Sequence, residues 1–407
     1  MTAEVPKRMR VLQTVQSYFP FQDRGGPVVK VRAIARGFAQ RGHQVTVLTA
    51  DLGFGPRNNF GMNIEPCPWG WRAQEDGVEA IYLSTLAHYR ALTLNPNVVG
   101  FCRATLSEFD LVHLYGLYDV LGPAVSYFCR RKGIPYVIEP MGMYRPIDRS
   151  FRLKRLWHSS LGARYWRNAS QIVATSEMEY EELLQDGVPA EKLVIRYNGI
   201  DNEAGSGSLP PGSFRAKWGI AAHEPLIIFL GRLIPRKGAD TLIEAFAQAC
   251  PEKGRLVIAG PEGESGYRAE LEDRARKSGI ESRTIFTGAL YGQDKSSLMA
   301  DADIFVLPSR YENFANAAAE AIGCGVPVIV TESCGIRSLV KGRAGLVISS
   351  DKDSLVEALR KLISDPILYA KFKNGCREAA AQLSWVRLTE QMEGYYMETL
   401  AQTNGRH

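Results

Sequence analysis

Continuous apolar runs alternate along this chain with segments in which apolar residues recur at helical spacing. An unbroken apolar run is typical of a strand buried on both faces, as in a parallel sheet covered by helices. In the first half the predicted strands are Val11 to Val15, Val45 to Leu48, Val78 to Leu83, Leu111 to Tyr115, Tyr136 to Glu139, Ile172 to Thr175 and Leu193 to Tyr197. Amphipathic segments between them include Val28 to Arg41, Leu121 to Lys132 and Glu177 to Gln185. This alternation predicts a Rossmann-like domain, with a long loop in the aperiodic piece from Gly53 to Trp71.

A segment dense in Gly, Ser and Pro, NEAGSGSLPPGS, runs from Asn202 to Ser213 and is typical of a linker. Beyond it the alternation restarts, with predicted strands at Leu226 to Leu230, Leu256 to Ala259, Thr284 to Thr287, Ile304 to Leu307, Val326 to Val330 and Gly345 to Ile348. The sequence therefore predicts an α/β protein with two Rossmann-like domains, residues 1–201 and 215–384, joined by a linker at 202–214. Residues 385–407 are predicted to form a helix that packs back on the first domain.

Composition adds limits to this picture. The chain has 407 residues, of which 45% are hydrophobic and 23% charged, as expected for a soluble protein of two domains. A net charge of +5 gives no indication of a nucleic-acid partner. The 7 cysteines include no C-x-x-C pair and predict reduced thiols in a cytoplasmic protein. The first residues carry charge but no apolar h-region, so we expect no secretory leader.

The stretch from Ile304 to Thr331 is a predicted strand, helix and parallel strand that carries two carboxylates. Glu312 lies in the connection after the first strand, and Glu320 lies eight helical positions further on. Eight residues turn a helix about 800°, so the two side chains would point within roughly 80° of each other. Open α/β sheets bind ligands at this end of their strands. The sequence predicts a polar binding site there.

Unpaired backbone N–H groups at the start of the same helix, those of Phe314, Ala315 and Asn316, would suit anionic or hydroxylic groups. A purely structural interpretation is equally open for either carboxylate alone. Glu312 would then satisfy the helix dipole as a first-turn acid, and Glu320 would be a solvated helix residue.

Two further loops follow predicted strands. In GRLIPRKG, residues 231–238, the guanidinium of Arg232 and the ammonium of Lys237 stand beside a flexible turn and would make a good diphosphate clamp, although solvated surface charge is the alternative. After the first strand, Gly25 and Gly26 would let backbone amides approach a ligand, or would form an ordinary turn. This sequence is not G-x-G-x-x-G, which argues against a nicotinamide dehydrogenase. The glycine-rich turn at 260–266 is equally consistent with a nucleotide-base contact and a plain loop.

GRLIPRKG, ENFANAAAE, the Asn198-Gly199-Ile200-Asp201 segment and the Gly25-Gly26 turn together resemble the retaining GT-B glycosyltransferases of family 4. The similarity spans nearly the whole chain. The stretch that begins EPMGMYRPIDRSF resembles in particular the members that build lipopolysaccharide and exopolysaccharide. The resemblance implies two Rossmann-like domains with a central cleft.

The resemblance also implies roles for the matching residues of the second domain. Glu312 would contact hydroxyls of the donor sugar, with the backbone amides of Phe314, Ala315 and Asn316 alongside it. Glu320 would hold the ribose hydroxyls of the nucleotide.

Arg232 and Lys237 would neutralise the departing diphosphate, and Gly26 would approach it from the other domain. The backbone near Leu290 would meet the base. His113, at the end of a predicted strand, matches a family histidine that faces the sugar, although taken alone it is more typical of a packed strand-end histidine.

Three positions depart from the family pattern. Ala315 stands where the family commonly has the glycine of Glu-x-Phe-Gly, and we expect a tighter fit there rather than lost activity. Met141 replaces a histidine, and a later glutamate is absent from residues 335–339. The last two departures bear on the acceptor side and on one supporting contact.

The implied reaction moves a hexose-type sugar, with retention, from a nucleotide-diphosphate sugar to a glycan or lipid-linked acceptor in cell-surface polysaccharide biosynthesis. UDP is favoured over GDP only because it is the commoner nucleotide. No cofactor or metal is expected, because Arg232 and Lys237 supply the positive charge. Asp301-Ala302-Asp303 does spell a D-x-D metal motif, but it falls at the boundary between a helix and a strand, and we interpret it as boundary residues.

Arg145 to Arg167 is basic and rich in aromatic residues, including Trp157 and Trp166. Such a segment suits an anionic membrane surface, which would place the enzyme peripherally on the inner face of the membrane. An ordinary solvated helix is the alternative.

Two other classes fit the same architecture. A nucleotide-sugar 2-epimerase would consume the donor without an acceptor, and product analysis separates it from a transferase. An inactive sugar-nucleotide-binding protein would not consume the donor at all.

Overall fold

The computed structural model describes residues 8–21, 26–56, 58–89, 92–145, 161–200, 210–250 and 252–405. They form two compact units. The first runs to Tyr197 and resumes at Trp385, and the second spans Asn198–Ser384. The crossover thus falls four residues before the predicted boundary at 201, because Asn198 and Ile200 are hydrogen-bonded within the second unit, to Asn316 and Leu383. Residues 201–209 of the predicted linker lie outside the described residues.

The first unit contains strands β1 to β11 and helices α1 to α5. The strands are β1 Arg10–Thr14, β2 Gln44–Ala50, β3 Ile64–Cys67, β4 Gly70–Glu75, β5 Val78–Leu83, β6 Ala87–Tyr89, β7 Leu92–Leu94, β8 Leu111–Tyr115, β9 Tyr136–Glu139, β10 Gln171–Ala174 and β11 Leu193–Ile195. The helices are α1 Gly26–Gln40, α2 Val98–Thr105, α3 Leu121–Lys132, α4 Leu161–Arg167 and α5 Glu177–Gln185.

Nine of these strands form one sheet in the order β11-β10-β9-β8-β1-β2-β5-β4-β3, and β6 and β7 form a separate hairpin. The sheet is parallel from β11 to β5, and β4 and β3 add an antiparallel edge. Alternate residues of β1 enter opposite cores, Val11 on one face and Leu12 on the other. The continuous apolar runs therefore had the predicted cause, burial on both faces. The predicted loop from Gly53 to Trp71 was wrong in part, since β3 and the start of β4 lie in it.

The second unit is a six-stranded parallel sheet in the order β14-β13-β12-β15-β16-β17. Its strands are β12 Leu226–Leu230, β13 Arg255–Ala259, β14 Thr284–Gly288, β15 Ile304–Leu307, β16 Val328–Thr331 and β17 Gly345–Ile348. Its helices are α6 Ser213–Trp218, α7 Ala239–Ala249, α8 Tyr267–Lys277, α9 Gly292–Asp301, α10 Asn316–Gly323, α11 Arg337–Val340, α12 Lys352–Ser364 and α13 Pro366–Gln382.

The last helix, α14 (Trp385–Asn404), belongs to the first unit. It is held there by hydrogen bonds. The Glu393 carboxylate lies 2.7 Å from His43 Nε2, and the Tyr396 hydroxyl lies 2.6 Å from His113 Nδ1. Among the described helices, none is long and apolar enough to cross a membrane.

Candidate functional site

The strand order of the second unit creates a crevice between β12 and β15. From β12 the chain continues to β13 and β14 on one side, whereas β15 leads to β16 and β17 on the other. The connections that leave β12 and β15 therefore diverge, and ligands of open α/β sheets bind at the carboxyl ends of strands at such a switch point. The loops at 231–238 and 308–315 flank this point.

These two loops are held together tightly. The backbone N–H of Arg310 donates to the Arg236 carbonyl at 2.9 Å, and the Ser309 hydroxyl donates to the same oxygen at 3.1 Å. Gly238 has φ +75°, and a Cβ there would lie 2.3 Å from the Pro308 carbonyl oxygen. Only glycine fits both the left-handed backbone and this close approach.

The neighbouring loops complete the edge. A Cβ on Gly260, which has φ +146°, would lie 1.8 Å from the Gly231 carbonyl oxygen, so the turn at 260–266 packs directly on the loop after β12. On the other side, Gly335 N–H donates to the Glu312 carbonyl at 2.8 Å. The segment 335–339, which lacks the family's later glutamate, thus supports Glu312 through its backbone.

Lys237 and Glu312, predicted separately for diphosphate and sugar, form an ion pair across the switch point. Both side chains are partly exposed, and Arg232, at the start of the same loop, is exposed. The fold therefore places Arg232, Lys237 and Glu312 at the edge where a ligand would enter.

Glu320 lies on α10 and is paired with a different cation. Lys295, on α9, approaches it at 2.6 Å, and each side chain is about one third exposed (33% and 35%). Leu290, predicted near the base, is half-buried just before α9. Lys295 was missed by the sequence reasoning, because a lysine in a polar helix gives no local signal of its partner. The Asn198 amide, which donates to Asn316 Oδ1 at 2.8 Å, was also missed as a contact.

The start of α10 contains a strained residue. Phe314 and Ala315 are buried and Asn316 is exposed as the first helical residue. Ala315 has φ +82° and ψ +63°, a left-handed conformation that costs an L-residue about 1–2 kcal/mol. A glycine here, which the resemblance leads one to expect, would adopt this conformation without strain.

We expect Ala315→Gly to change the free energy of unfolding by less than about 0.5 kcal/mol, because relief of strain offsets the lost methyl burial and the extra chain entropy. The matched control is Ala318→Gly, at a buried position inside α10, which should cost about 1–2 kcal/mol. Urea denaturation of both variants checks this. Equal losses in the two variants would contradict the strain at Ala315.

Asp301 and Asp303 lie just before the amino end of β15, at the opposite end of the strand from Glu312. Asp301 accepts the backbone N–H groups of Gly212 at 2.6 Å and Arg215 at 3.0 Å, and Asp303 pairs with the Arg215 guanidinium at 2.8 Å. These carboxylates fasten α6 to the sheet, as boundary residues. In the described part of the chain, no group of three or more His, Cys, Asp or Glu side chains is arranged to hold a metal ion.

In the first unit, Gly26 is the first residue of α1, the helix that follows β1 in the chain, and Gly25 lies outside the described residues. His113 is fully buried, stacked on Tyr115 at 4.0 Å and bonded to Tyr396. Burial lowers the pKa of His113 to about 3, so the ring is neutral at physiological pH. The expectation that His113 faces a sugar is not supported by this placement, since packing against α14 encloses the ring. The sequence could not show that a distant helix covers it.

His113 borders a buried charged cluster at the end of β9. Glu139 is fully buried, with Lys30 Nζ at 2.5 Å, and it also pairs with the Arg196 guanidinium. Although burial opposes ionisation, the charges of Arg196 and Lys30 hold the pKa of Glu139 at about 2, so it is a carboxylate at neutral pH. The cluster ties α1 to β9 and to the residue just before the crossover at Tyr197.

Two family models cover the two units. The model described as "Glycosyl transferases group 1" matches residues 212–379, and the model described as "Glycosyl transferase 4-like domain" matches residues 25–199. The D-inositol 3-phosphate glycosyltransferase of Nocardiopsis dassonvillei is 28% identical over 400 residues, 92% of this chain and 90% of that protein. The mannosylfructose-phosphate synthase of Agrobacterium fabrum is 25% identical over 402 residues, 91% and 86% of the two chains.

Solved structures share the fold over almost their whole length. HepE of Anabaena in complex with UDP has a TM-score of 0.76 at 22% identity, covering 96% of this chain and 100% of that one. WaaG, a glycosyltransferase involved in lipopolysaccharide biosynthesis, has a TM-score of 0.64 at 22% identity, covering 95% and 99%. Fold and matches define a glycosyltransferase of GT-B type, with two Rossmann-like domains. The first unit thus matches a glycosyltransferase 4-like domain and the second a group 1 glycosyltransferase domain.

Proposed function

We propose that this protein transfers a hexose-type sugar, with retention, from a nucleoside-diphosphate sugar to a glycan or lipid-linked acceptor in cell-surface polysaccharide biosynthesis. The observation that carries the proposal is the Lys237–Glu312 pair at the switch point, with Arg232 exposed on the same loop. Cleavage of a sugar–phosphate bond leaves negative charge on the diphosphate, and cations fixed at that position lower the barrier directly.

Each residue has a distinct role in this proposal. Arg232 and Lys237 bind the leaving diphosphate, and Glu312 accepts hydrogen bonds from hydroxyls of the donor sugar. Glu320 holds the ribose, and Lys295 keeps its carboxylate in place. With retention on the front face, the leaving phosphate itself accepts the proton of the acceptor hydroxyl, so no protein nucleophile is required.

The donor nucleotide is proposed from two kinds of support. HepE of Anabaena, which is 24% identical to this chain, was solved in complex with UDP-glucose. This similarity supports a nucleotide-sugar donor. A relative from Mycobacterium tuberculosis that is 28% identical over 296 residues is described as a GDP-mannose-dependent alpha-mannosyltransferase. UDP-sugars remain our first choice, with GDP-sugars as the second series to test.

The proposed acceptor places the enzyme at the inner face of a membrane. Arg145 is exposed enough to reach solvent but is paired with Asp186 at 2.9 Å, and residues 146–160 of the basic segment lie outside the described residues. In the described end of the segment, Tyr165 is buried and Trp166 packs against the core, so the proposed membrane role rests on the sequence of residues 146–160.

The experiment that tests the function is product analysis with a panel of UDP- and GDP-sugars and lipid-linked acceptors. We expect a new glycosidic bond with the anomeric configuration of the donor, in undiminished yield with EDTA. Complete loss of product formation with EDTA, followed by recovery when manganese is added, would overturn the metal-independent mechanism. Epimerised or hydrolysed donor without any acceptor product would overturn transfer itself.

A further inference from the structure

The first unit has a switch point of its own. In its sheet β1 continues through α1 to β2 on one side, whereas β8 continues through α3 to β9 on the other. The connections that leave β1 and β8 therefore diverge, and an open α/β sheet binds ligands at the carboxyl ends of such a pair of strands. The connection after β8, residues 116–120, has no role in the function proposed above.

This connection carries one carboxyl group, that of Asp119. Its Oδ1 accepts the backbone N–H of Gly122 at 2.6 Å and so caps the start of α3. Capping explains the contact with α3, but Oδ2 also borders a second space. This space lies above Gly116, where an added Cβ would be 3.5 Å from Oδ2.

Two methionines border the same space. The Cβ that Gly116 lacks would lie 3.8 Å from Met141 Cε and 3.9 Å from Met143 Sδ. The N–H of Gly116 donates to the Glu139 carbonyl at 2.9 Å, which ties the ends of β8 and β9 together at this point. Asp119, Met141 and Met143 are all partly exposed. One carboxylate oxygen and two flexible thioethers therefore line a small space that solvent can reach, called the Gly116 recess below.

Met141 has a backbone conformation that residues with a side chain rarely adopt. Its φ is +56°, and the next residue, Gly142, donates its N–H to Glu179 Oε1 at 2.6 Å. Residues held in such strained conformations are concentrated at binding sites. Met141 also stands where the family resemblance leads one to expect a histidine. The recess thus has an adaptable apolar wall in place of a polar ring, and Asp119 supplies the polar group beside it.

Asp119 has no counter-charge in the part of the chain that the structure describes. Its contacts there are the backbone N–H groups of Leu121 and Gly122, and burial raises its pKa to about 6. The titratable group that faces it is the Tyr165 hydroxyl, which stays neutral because burial raises its pKa well above the ordinary value. A carboxylate that is partly desolvated and unpaired costs the fold stability at neutral pH. Such a cost is typical of a residue that serves a binding site.

A sugar ring has the chemistry that the Gly116 recess can bind. A hydroxyl group of the ring can donate to Asp119 Oδ2, while the C–H groups beside it pack on the methionine side chains. An anionic group would be repelled by the carboxylate. A divalent cation would need several oxygen ligands, whereas the recess offers one carboxylate between two thioethers.

We propose that Asp119 binds the acceptor: its Oδ2 accepts a hydrogen bond from a hydroxyl of the terminal sugar ring, which packs on Met141 and Met143. The inference rests on the proposed sugar transfer for the identification of this ligand as the acceptor. Binding itself is measured without donor and without turnover.

The test is saturation-transfer NMR of the full chain with the methyl glycosides of glucose, galactose and mannose at neutral pH. We expect at least one glycoside to bind, and Asp119→Asn to weaken its affinity about tenfold or more, because a hydrogen bond to a charged group is lost. Asparagine keeps the cap of α3, so the melting temperature should not fall. The matched control is Asp365→Asn at the start of α13, where Oδ1 accepts the Leu368 N–H at 2.9 Å, and it should bind like the wild type.

A second readout is the pH dependence of binding. The affinity of the wild type should fall as the pH is lowered through about 6, where Asp119 gains its proton, and the affinity of Asp119→Asn should stay constant.

Three outcomes would overturn the proposal: unchanged affinity in Asp119→Asn, a wild type that binds none of the glycosides, or a variant that loses only thermal stability, as a capping residue would. Failure of the proposed function itself looks different. Glycoside binding through Asp119 would then stand while no sugar nucleotide gave a transfer product.

Discussion

Replacing Lys237 by Ala is expected to lower the rate of sugar transfer about 100- to 1000-fold, without unfolding the protein. The lysine lies in a loop that flanks the switch point and forms an ion pair with Glu312. Its removal takes one charge from the leaving diphosphate, and it also leaves Glu312 unbalanced beside an incoming anion. The measurement is kcat and KM for the donor, with a melting curve as the check on folding.

The ion pair makes a sharper prediction about non-additivity. Glu312→Ala alone should also abolish turnover. In the Lys237→Ala background it should lower the remaining rate much less, because the two residues are in contact and such residues couple by about 0.5–3 kcal/mol. The control is Lys277→Ala, which removes a 75% exposed lysine from the end of α8 and should leave kcat unchanged. A fully active Lys237→Ala enzyme would end the assignment of the diphosphate site.

The second large effect is on stability. Glu139→Ala is expected to lower the free energy of unfolding by about 3–5 kcal/mol, because it leaves the buried cations of Lys30 and Arg196 without their carboxylate. The depressed pKa of Glu139, about 2, means that its contribution is present at neutral pH and lost only as the pH falls through the range from about 4.5 to about 2. Urea denaturation at pH 7 measures the effect.

The control for Glu139 is Glu108→Ala, which breaks the surface pair with Arg10 at 2.7 Å. Both partners are about half exposed (46% and 51%), so the loss should stay below about 1 kcal/mol. Similar losses in the two variants would show that the buried cluster does not depend on its carboxylate.

The alternation of apolar runs was sufficient to predict two mainly parallel sheets, because burial on both faces gives each central strand a continuous apolar run. It did not predict the antiparallel edge of β3 and β4. It also predicted that Lys237 and Glu312 share one edge, since both follow parallel strands. The alternation could not predict that Lys237 and Glu312 form an ion pair, because this pair depends on the close packing of two loops at Gly238.

The features that the sequence could not predict depend on contacts between distant segments of the chain. Taken alone, His113 is more typical of a packed histidine, and in the structure it lies in the middle of β8, where the docking of α14 through Tyr396 encloses it. Lys295 is likewise a partner of Glu320 only because α9 and α10 are neighbours. The strands of the β6–β7 hairpin are three residues each, too short to show a period.

We propose that the switch point of the second unit binds a nucleoside diphosphate sugar through Lys237. Thermal-shift titration of the wild type and Lys237→Ala with UDP, GDP, ADP and their sugars tests it most directly, because a ligand that binds the folded state raises its melting temperature. We predict that one nucleotide series stabilises the wild type and that Lys237→Ala loses most of that shift. No shift with any nucleotide, or equal shifts in both proteins, would contradict the account.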